Sequence, residues 1–182
     1  MRIGTLGAGR MATALGEAWR AAGHEVVLGS RESLAEAATF GEVVLLAVPA
    51  DAVPSVLPVI PDGAVVIDCT NGVTAGRWDH SVYTRIAALA PALRVVKAFN
   101  LSHDSVWRRP SRVFGGRPLA VPLCGPPEAV AVVSPLVTDL GCTPFDAGGP
   151  DRAPLMEATA AFAIGLWFAG YDAQAVLTPP LG

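Results

Sequence analysis

The chain has 182 residues, of which 52% are hydrophobic and 16% charged, and its formal net charge is −3. This composition is typical of a globular protein with one sizeable core and excludes a disordered chain. The positive residues are scattered except for Arg108, Arg109 and Arg112, a cluster too small for a nucleic-acid interface, so we expect no nucleic-acid partner.

Short β-branched runs alternate with helical stretches along most of the chain, a pattern typical of parallel βαβ units. The predicted strands are nearly continuous apolar runs, as expected of strands that are buried on both faces. Strands are predicted at residues 2–6, 25–28, 43–48, 64–69, 94–99, 119–124 and 143–146, and helices at residues 10–22, 34–39, 128–140 and 155–169.

A glycine-rich turn, residues 7–12, follows the first predicted strand and opens the first helix, and it fits the pattern G-x-G-x-x-A. Gly7 permits a tight turn, Gly9 lets the backbone approach a pyrophosphate, and the small Ala12 allows close packing of helix on strand. The sequence therefore predicts an α/β fold of the Rossmann type, a doubly wound, mostly parallel sheet with a short C-terminal helical extension. We expect residues 1–150 to form a dinucleotide-binding domain.

The end of the second predicted strand indicates which dinucleotide binds. An NAD site places an acidic side chain there to bind the ribose hydroxyls, whereas this chain has Ser30 and Arg31. Serine can donate a hydrogen bond to a 2′-phosphate, and arginine can pair with it. The alternative is a surface pair without a ligand. The expected cofactor is NADP(H).

The final predicted helix, residues 155–169, is apolar nearly all round. Such a helix must be buried, either in the chain's own core or against a second subunit. We expect residues 151–182 to form a C-terminal helix and tail that serves as a dimerisation or substrate-crevice element, and the protein to be a homodimer.

The cysteines and the apolar stretches suggest a cellular setting. Cys69, Cys124 and Cys142 are odd in number and widely spaced, which favours buried reduced thiols over disulfides or a metal site. The longest apolar stretch, residues 158–170, is shorter than the roughly 20 residues that span a bilayer, and the chain enters a strand with no charged leader. We therefore expect a soluble, cytoplasmic protein without a metal or a membrane partner.

The motifs resemble the family of NADPH-dependent reductases typified by coenzyme F-420:NADP oxidoreductase, whose domain is also carried by ferric reductases of the six-transmembrane epithelial antigen type. The resemblance covers about residues 1–170 and rests on the turns at residues 7–9 and 29–31, on Ala-Val-Pro at 47–49, on Val-Val-Lys-Ala-Phe-Asn at 95–100, and on Asp-Ala-Gly at 146–148. It implies that Ser30 and Arg31 bind the 2′-phosphate. It also implies that backbone from Thr5 to Met11 holds the pyrophosphate and that two later segments border the nicotinamide and the acceptor. The implied cofactor-binding set is Thr5, Leu6, Gly7, Gly9, Arg10, Met11, Ser30, Arg31, Ala47, Val48, Pro49, Ala98 and Asn100.

The resemblance implies an NADP-dependent oxidoreductase that exchanges hydride between NADP(H) and coenzyme F-420 or a flavin. Transfer between two ring systems needs stacking geometry more than acid–base groups. One alternative is a reductase of a small imine or carbonyl compound, which needs a proton donor, and His103 after the fifth predicted strand is the candidate catalytic residue. A second alternative is a non-catalytic domain that senses NADPH.

Three further polar residues lie near the same ends of the strands. Lys97 is expected within the fifth strand, where it either pairs with a buried carboxylate or takes part in catalysis. Asp68 and Asn71 follow the fourth strand, where they form a strand-terminating turn or contact a ligand.

Overall fold

A seven-stranded sheet forms the centre of the computed structural model, which describes residues 1–171. The strands are β1 (Arg2–Leu6), β2 (Glu25–Gly29), β3 (Val43–Leu46), β4 (Val65–Asp68), β5 (Val73–Thr74), β6 (Arg77–Trp78), β7 (Arg94–Lys97), β8 (Val113–Phe114), β9 (Arg117–Pro118), β10 (Ala120–Cys124) and β11 (Thr143–Gly148). The helices are α1 (Arg10–Ala21), α2 (Leu34–Phe40), α3 (Val53–Val56), α4 (Val82–Leu89), α5 (Asp104–Trp107), α6 (Pro127–Thr138) and α7 (Ala153–Phe168).

The sheet has the strand order β11-β10-β7-β4-β3-β1-β2. Strands β2, β1, β3, β4 and β7 pair in parallel, and β10 pairs in parallel with β11, while one antiparallel bridge between Cys124 and Lys97 joins the two sets. The chain passes from β1 to β2 on one side and returns to β3 on the other. A topological switch point therefore lies between β1 and β3, where open α/β sheets form their ligand crevice.

Apolar side chains fill both faces of the sheet. One core cluster includes Leu15 and Trp19 of α1 and Leu136 of α6, and the other includes Ile86 of α4 and Met156 of α7. Because helices cover both faces, the predicted doubly wound, mostly parallel fold with a C-terminal helix is confirmed. The three cysteines are buried and free, as expected.

Each strand predicted for the main sheet is present, with ends that differ by one or two residues from those expected. The sequence did not predict the short helices α3, α4 and α5 or the hairpins β5–β6 and β8–β9. These elements have two to eight residues, which is too short for a periodic apolar pattern to develop. Ser81 does mark the start of α4, since its hydroxyl accepts a hydrogen bond from the Thr84 N–H.

Helix α7 is only partly buried in the single chain, so the chain's own core does not cover its whole circumference. Phe162, Trp167 and Phe168 are 54%, 64% and 66% exposed. On the packed side, a Cβ atom at Gly165 would lie 2.8 Å from the carbonyl oxygen of Gly76, so the turn between β5 and β6 contacts the helix backbone directly. Within residues 1–171 no helix has the length and hydropathy needed to cross a membrane. Residues 172–182 of the predicted C-terminal element lie outside the described residues.

Candidate functional site

The turn after β1 lies at the switch point and contacts both neighbouring strands. Gly7 has φ +110°, and a Cβ atom there would lie 2.4 Å from the carbonyl oxygen of Ala47, so only glycine fits. The Gly7 N–H donates to the carbonyl of Gly29 at 3.1 Å. The turn thus brings together the carboxyl ends of β1, β2 and β3.

The N-terminus of α1 is open and suited to an anion. Gly9 is its N-cap, no side chain caps the helix, and its first turn contains no acidic residue. A Cβ atom at Gly9 would meet no atom within 4 Å, so a ligand has room to approach the backbone. Unpaired N–H groups and the helix dipole at such an end favour a phosphate. The turn therefore fits the pyrophosphate of a dinucleotide.

Ser30 and Arg31 are exposed at the end of β2. The Ser30 N–H donates to the Ser33 hydroxyl at 3.0 Å, and the two serine hydroxyls lie 3.2 Å apart. These contacts close a tight turn before α2. Ser30 and Arg31, rather than a carboxylate, thus directly follow β2.

Two adjacent cavities open at the carboxyl ends of β3, β4 and β7. The β3 cavity has a volume of about 340 Å³, and the Trp167 cavity has a volume of about 470 Å³. The β3 cavity is lined by Met11, Ala47, Val48, Pro49, Ala50, Cys69, Thr70, Asn71, Val73, Ala75, Ile164 and Phe168. The Trp167 cavity is lined by Arg10, Met11, Cys69, Asn71, Asn100, Leu101, Ser102, His103, Asp104, Ala160, Ala163, Ile164 and Trp167. The two cavities share the side chains of Met11, Cys69, Asn71 and Ile164.

Asn71 and Asn100 hold each other in a fixed orientation beside the Trp167 cavity. The Asn71 amide nitrogen donates to the backbone carbonyl of Asn100 at 2.9 Å, and the Asn100 amide nitrogen donates to Asn71 Oδ1 at 3.0 Å. Reversing either amide would set two acceptors or two donors against each other. Asn100 Oδ1 is buried and has no hydrogen-bond partner among the described residues.

Asp104, the first residue of α5, binds three cationic or basic side chains at the rim of the Trp167 cavity. Its carboxylate lies 3.5 Å from Arg10 Nη2, 3.2 Å from His103 Nε2 and 3.0 Å from Arg108 Nη2. The other ring nitrogen of His103 lies 2.9 Å from the Ser105 hydroxyl. Both ring nitrogens of the predicted catalytic histidine therefore have partners within the protein.

A fully buried ion cluster fixes the end of β7 beneath the cavities. Lys97 Nζ lies 2.9 Å from Asp68 Oδ2 and 2.7 Å from Glu157 Oε1, and it also donates to the carbonyl of Thr70. The Asp68 carboxylate accepts from the Thr70 N–H and hydroxyl. Lys97 thus pairs with buried carboxylates, one of its two predicted roles. Since it touches neither cavity, we assign it a structural role.

The predicted site residues fall into three groups. Gly7, Gly9, Arg10 and Met11 form the phosphate turn, and Met11, with Ala47, Val48, Pro49 and Asn100, lines the cavities. Ser30 and Arg31 lie at the outer end of the switch point and line neither cavity. The side chains of Thr5, Leu6 and Ala98 are fully buried, which leaves only their backbone for a ligand.

Phe99, which directly precedes Asn100, forms no wall of either cavity. It is buried with φ +63°, and its ring meets Trp19 and Trp107 edge to face, at centroid distances of 5.6 and 5.1 Å. Cys69 and Ile164, which were not predicted as site residues, line both cavities, and Asp104 lines the Trp167 cavity beside His103. Cys69 and Asp104 each follow a main-sheet strand by no more than seven residues, a position that marks them as candidates.

Cys69 is a protonated thiol in the wall that the two cavities share. Burial, reinforced by the neighbouring Asp68 carboxylate, raises its pKa to about 12. Its thiol donates to the carbonyl of Leu46 at 3.3 Å. Cys69 therefore presents a small neutral surface to a ligand and is a poor nucleophile at neutral pH.

Comparisons with known proteins bear on the family and the fold of the chain. Residues 30–72 match the family model described as NADP oxidoreductase coenzyme F420-dependent. The predicted family resemblance is confirmed. The description of that family supports the expected class of enzyme, an NADP-dependent oxidoreductase, and NADP(H) as the expected cofactor.

Two relatives extend the comparison over most of the chain. The metalloreductase STEAP3 of Rattus norvegicus is 32% identical over 177 residues, which covers 86% of this chain and 36% of the rat protein. The chain thus spans about a third of the length of this curated relative. A protein of Arthrobacter sp. FB24, provisionally described as an F420-dependent NADP reductase, is 24% identical with a TM-score of 0.81, over 94% of this chain and 96% of that one.

A second similar structure was solved with a dinucleotide. The reductive aminase of Aspergillus terreus in complex with NADPH and ethyl levulinate is 18% identical with a TM-score of 0.69, over 97% of this chain and 69% of that one. At this identity the likeness concerns the fold alone, which is the fold of a known NADPH-binding protein.

Proposed function

We propose that the protein exchanges hydride between NADP(H) and a planar acceptor, coenzyme F-420 or a flavin. The observation that carries this proposal is the wall shared by the β3 cavity and the Trp167 cavity. Met11, Cys69, Asn71 and Ile164 belong to both, so a flat ring in each cavity would meet the other ring over these four side chains. Close stacking of two rings is the main geometric requirement of such a transfer.

In this proposal the dinucleotide follows the switch point from β2 to the β3 cavity. Ser30 and Arg31 bind the 2′-phosphate, and the backbone of residues 5–11 with the open end of α1 binds the pyrophosphate. Ala47, Val48 and Pro49 border the nicotinamide, with Ala98 limited to backbone contacts and Asn100 on the acceptor side. When bound, the dihydronicotinamide supplies the hydride.

The residues around the acceptor orient it and exclude water rather than transfer protons. Ala160, Ile164 and Trp167 of α7 give the Trp167 cavity an apolar side, and the shared Cys69 thiol stays neutral. Both ring nitrogens of His103 are engaged by Ser105 and Asp104. A ring acceptor that takes up its own proton needs no side-chain acid at the reacting carbon.

Reduction of a small imine or carbonyl compound is the second candidate, because His103 lines the Trp167 cavity and remains about half exposed. If its contacts with Asp104 and Ser105 were exchanged for a substrate, His103 could supply the proton that such an acceptor requires.

The test is anaerobic oxidation of NADPH, followed at the nicotinamide absorbance band, with coenzyme F-420, FMN and a cyclic imine offered in turn. We expect turnover with a ring acceptor and none with the imine. Turnover with the imine alone would contradict the proposal in favour of the second candidate. NADPH binding without turnover of any acceptor would favour a sensing domain.

We also propose that α7 mediates a homodimer, because its exposed aromatic side chains leave a large apolar surface on the single chain. Light scattering should report a dimer for the wild-type protein and a monomer for Phe162→Glu. Leu89→Glu, at an equally exposed leucine near the end of α4, is the matched control and should remain dimeric. A wild-type monomer at micromolar concentration would contradict the proposal.

A further inference from the structure

We propose that the acceptor is an anion, and that its phosphate or carboxylate binds a cationic cluster formed by the guanidinium groups of Arg10 and Arg108. This inference rests on the proposed function, since it describes the second ligand of the same site. It assigns a chemical class to that ligand, a flat apolar body that carries an oxyanion.

The two cluster guanidinium groups and the neighbouring His103 are gathered by one buried carboxylate. Arg10, His103 and Arg108 all contact Asp104, as described above, and their side chains are 76%, 48% and 43% exposed, while that of Asp104 is only 10% exposed. An approaching ligand therefore meets the cations before it meets the carboxylate. The charges that remain accessible at this rim are positive.

The charge at the rim has the opposite sign to that of the whole protein. Two guanidinium groups face one carboxylate, which leaves an excess of one positive charge. The complete chain has a formal net charge of −3. Asp104 is the only acidic residue that lines the Trp167 cavity within the described part of the chain. A local positive field beside an apolar cavity attracts and orients an anionic ligand.

Arg108 is held in place before any ligand arrives. Its Nη2 atom donates both to Asp104 Oδ2 and to the backbone carbonyl of Arg10, each at 3.0 Å. These contacts link the end of α5 to the first turn of α1, so little side-chain entropy remains to be lost when an oxyanion binds. Arg10 contributes its backbone to the dinucleotide turn and its side chain to the cluster.

The cluster lies on the acceptor side of the site. Arg10 and His103 line the Trp167 cavity, and neither lines the β3 cavity that we assign to the nicotinamide. The rest of the Trp167 cavity offers Met11, Ile164 and Trp167 to an apolar ring. An anionic tail on that ring would therefore end at the cluster.

Riboflavin and FMN provide a matched pair of probes, because they share one ring system and differ by a phosphate. Dissociation constants are measured by quenching of flavin fluorescence, without any turnover. We expect FMN to bind about tenfold more tightly than riboflavin at low salt, as one charge-assisted contact provides. Higher ionic strength should reduce this preference. Lumiflavin and its 10-carboxymethyl analogue test a carboxylate in the same way.

Arg108→Gln and Arg10→Gln should each remove most of the FMN preference, measured as the ratio of the riboflavin dissociation constant to that of FMN. Arg10→Gln disturbs the fold little, because that side chain is mostly exposed and makes one long ion pair. Arg109→Gln is the matched control: it removes the same charge one residue away, where the guanidinium stacks on Phe114 at 5.0 Å and lines neither cavity. Its FMN preference should equal that of the wild type.

Equal affinities of wild-type protein for FMN and riboflavin, or equal losses in all three variants, would overturn the inference. Different results would contradict the proposed function. Charge-selective flavin binding without hydride transfer would contradict the reaction and leave the anion site in place. Transfer to riboflavin and FMN at equal rates, with equal affinities, would retain the reaction and remove the anion site.

Discussion

Lys97 Nζ lies 2.7 Å from Glu157 Oε1, and this fully buried contact joins the end of β7 to the first half of α7. The same ammonium binds Asp68, so one positive charge serves two carboxylates. Glu157 also accepts hydrogen bonds from the N–H groups of Val82 and Tyr83, at 3.0 and 2.9 Å. The N-terminus of α4 thus helps to balance the second carboxylate.

Removal of the cation should destabilise the fold strongly. Lys97→Met leaves two buried carboxylates without a counter-charge, and the free energy of unfolding should fall by about 3–5 kcal/mol in urea titrations at pH 7. Glu157→Gln is the comparison, since it leaves one lysine with one aspartate and should cost less. A larger loss for Glu157→Gln than for Lys97→Met would contradict this account of the cluster.

Arg31→Ala should weaken NADPH binding and leave NADH binding almost unchanged. Loss of a charge-assisted contact with a phosphate costs about 1.5–3 kcal/mol, which corresponds to roughly 10- to 100-fold in the dissociation constant. Isothermal titration calorimetry with each dinucleotide measures the two dissociation constants. Arg85→Ala, at an exposed arginine of α4, is the control and should bind both as the wild type does. Equal losses for NADPH and NADH would show that Arg31 does not bind the phosphate.

His103→Ala should lower turnover with a ring acceptor by less than about tenfold, because the ring nitrogens already bind Asp104 and Ser105. A general acid contributes roughly 10²–10⁴-fold, so the two roles are well separated. Turnover and the NADPH dissociation constant are measured together. A hundredfold loss of turnover with intact NADPH binding would identify His103 as a proton donor and favour the imine or carbonyl reductase.

The stability of the fold should decrease in alkaline solution. The pKa of Cys69 rises from 9.0 to about 12 on folding, so the unfolded chain loses this proton at a lower pH than the folded chain does. The contribution of Cys69 to the free energy of unfolding is complete below pH 9 and is lost as the pH rises towards 12. Between pH 8 and pH 10 the free energy of unfolding should fall by roughly 1 kcal/mol from this source.

Urea titrations at pH 8 and pH 10 compare the wild type with Cys69→Ala, which lacks the titrating thiol. The drop in the free energy of unfolding between the two pH values should be smaller by roughly 1 kcal/mol in the variant. Identical drops in both proteins would mean that Cys69 does not titrate differently in the two states. Tyr83, whose pKa burial also raises to about 12, contributes equally to both and does not affect the comparison.

The sequence by itself determined the main sheet, the glycine-rich turn and the family resemblance. Apolar runs such as residues 43–46 specify buried strands because a strand with both faces covered consists mostly of apolar residues. Gly7 is recognisable because a tight turn against the carbonyl of Ala47 leaves no space for a side chain, whereas Gly9 leaves the backbone open to a ligand. These features depend on local geometry, which a short stretch of sequence encodes.

Only the tertiary structure decided which residues share the site. Glu157 lies 60 residues from Lys97 in the chain and Asn71 lies 29 residues from Asn100, and no local pattern records such pairs. The sequence of helix α7 is apolar on all sides, yet one side of the helix is exposed. Its position is set by the ion pair of Glu157 with Lys97 and by the contact of Gly165 with Gly76. His103 was visible as a candidate acid, but its place in the Trp167 cavity beside Arg10 depends on how α5 packs. Side-chain pairing follows from the packing of whole elements, and that packing is settled by the balance of burial and charge over the entire chain.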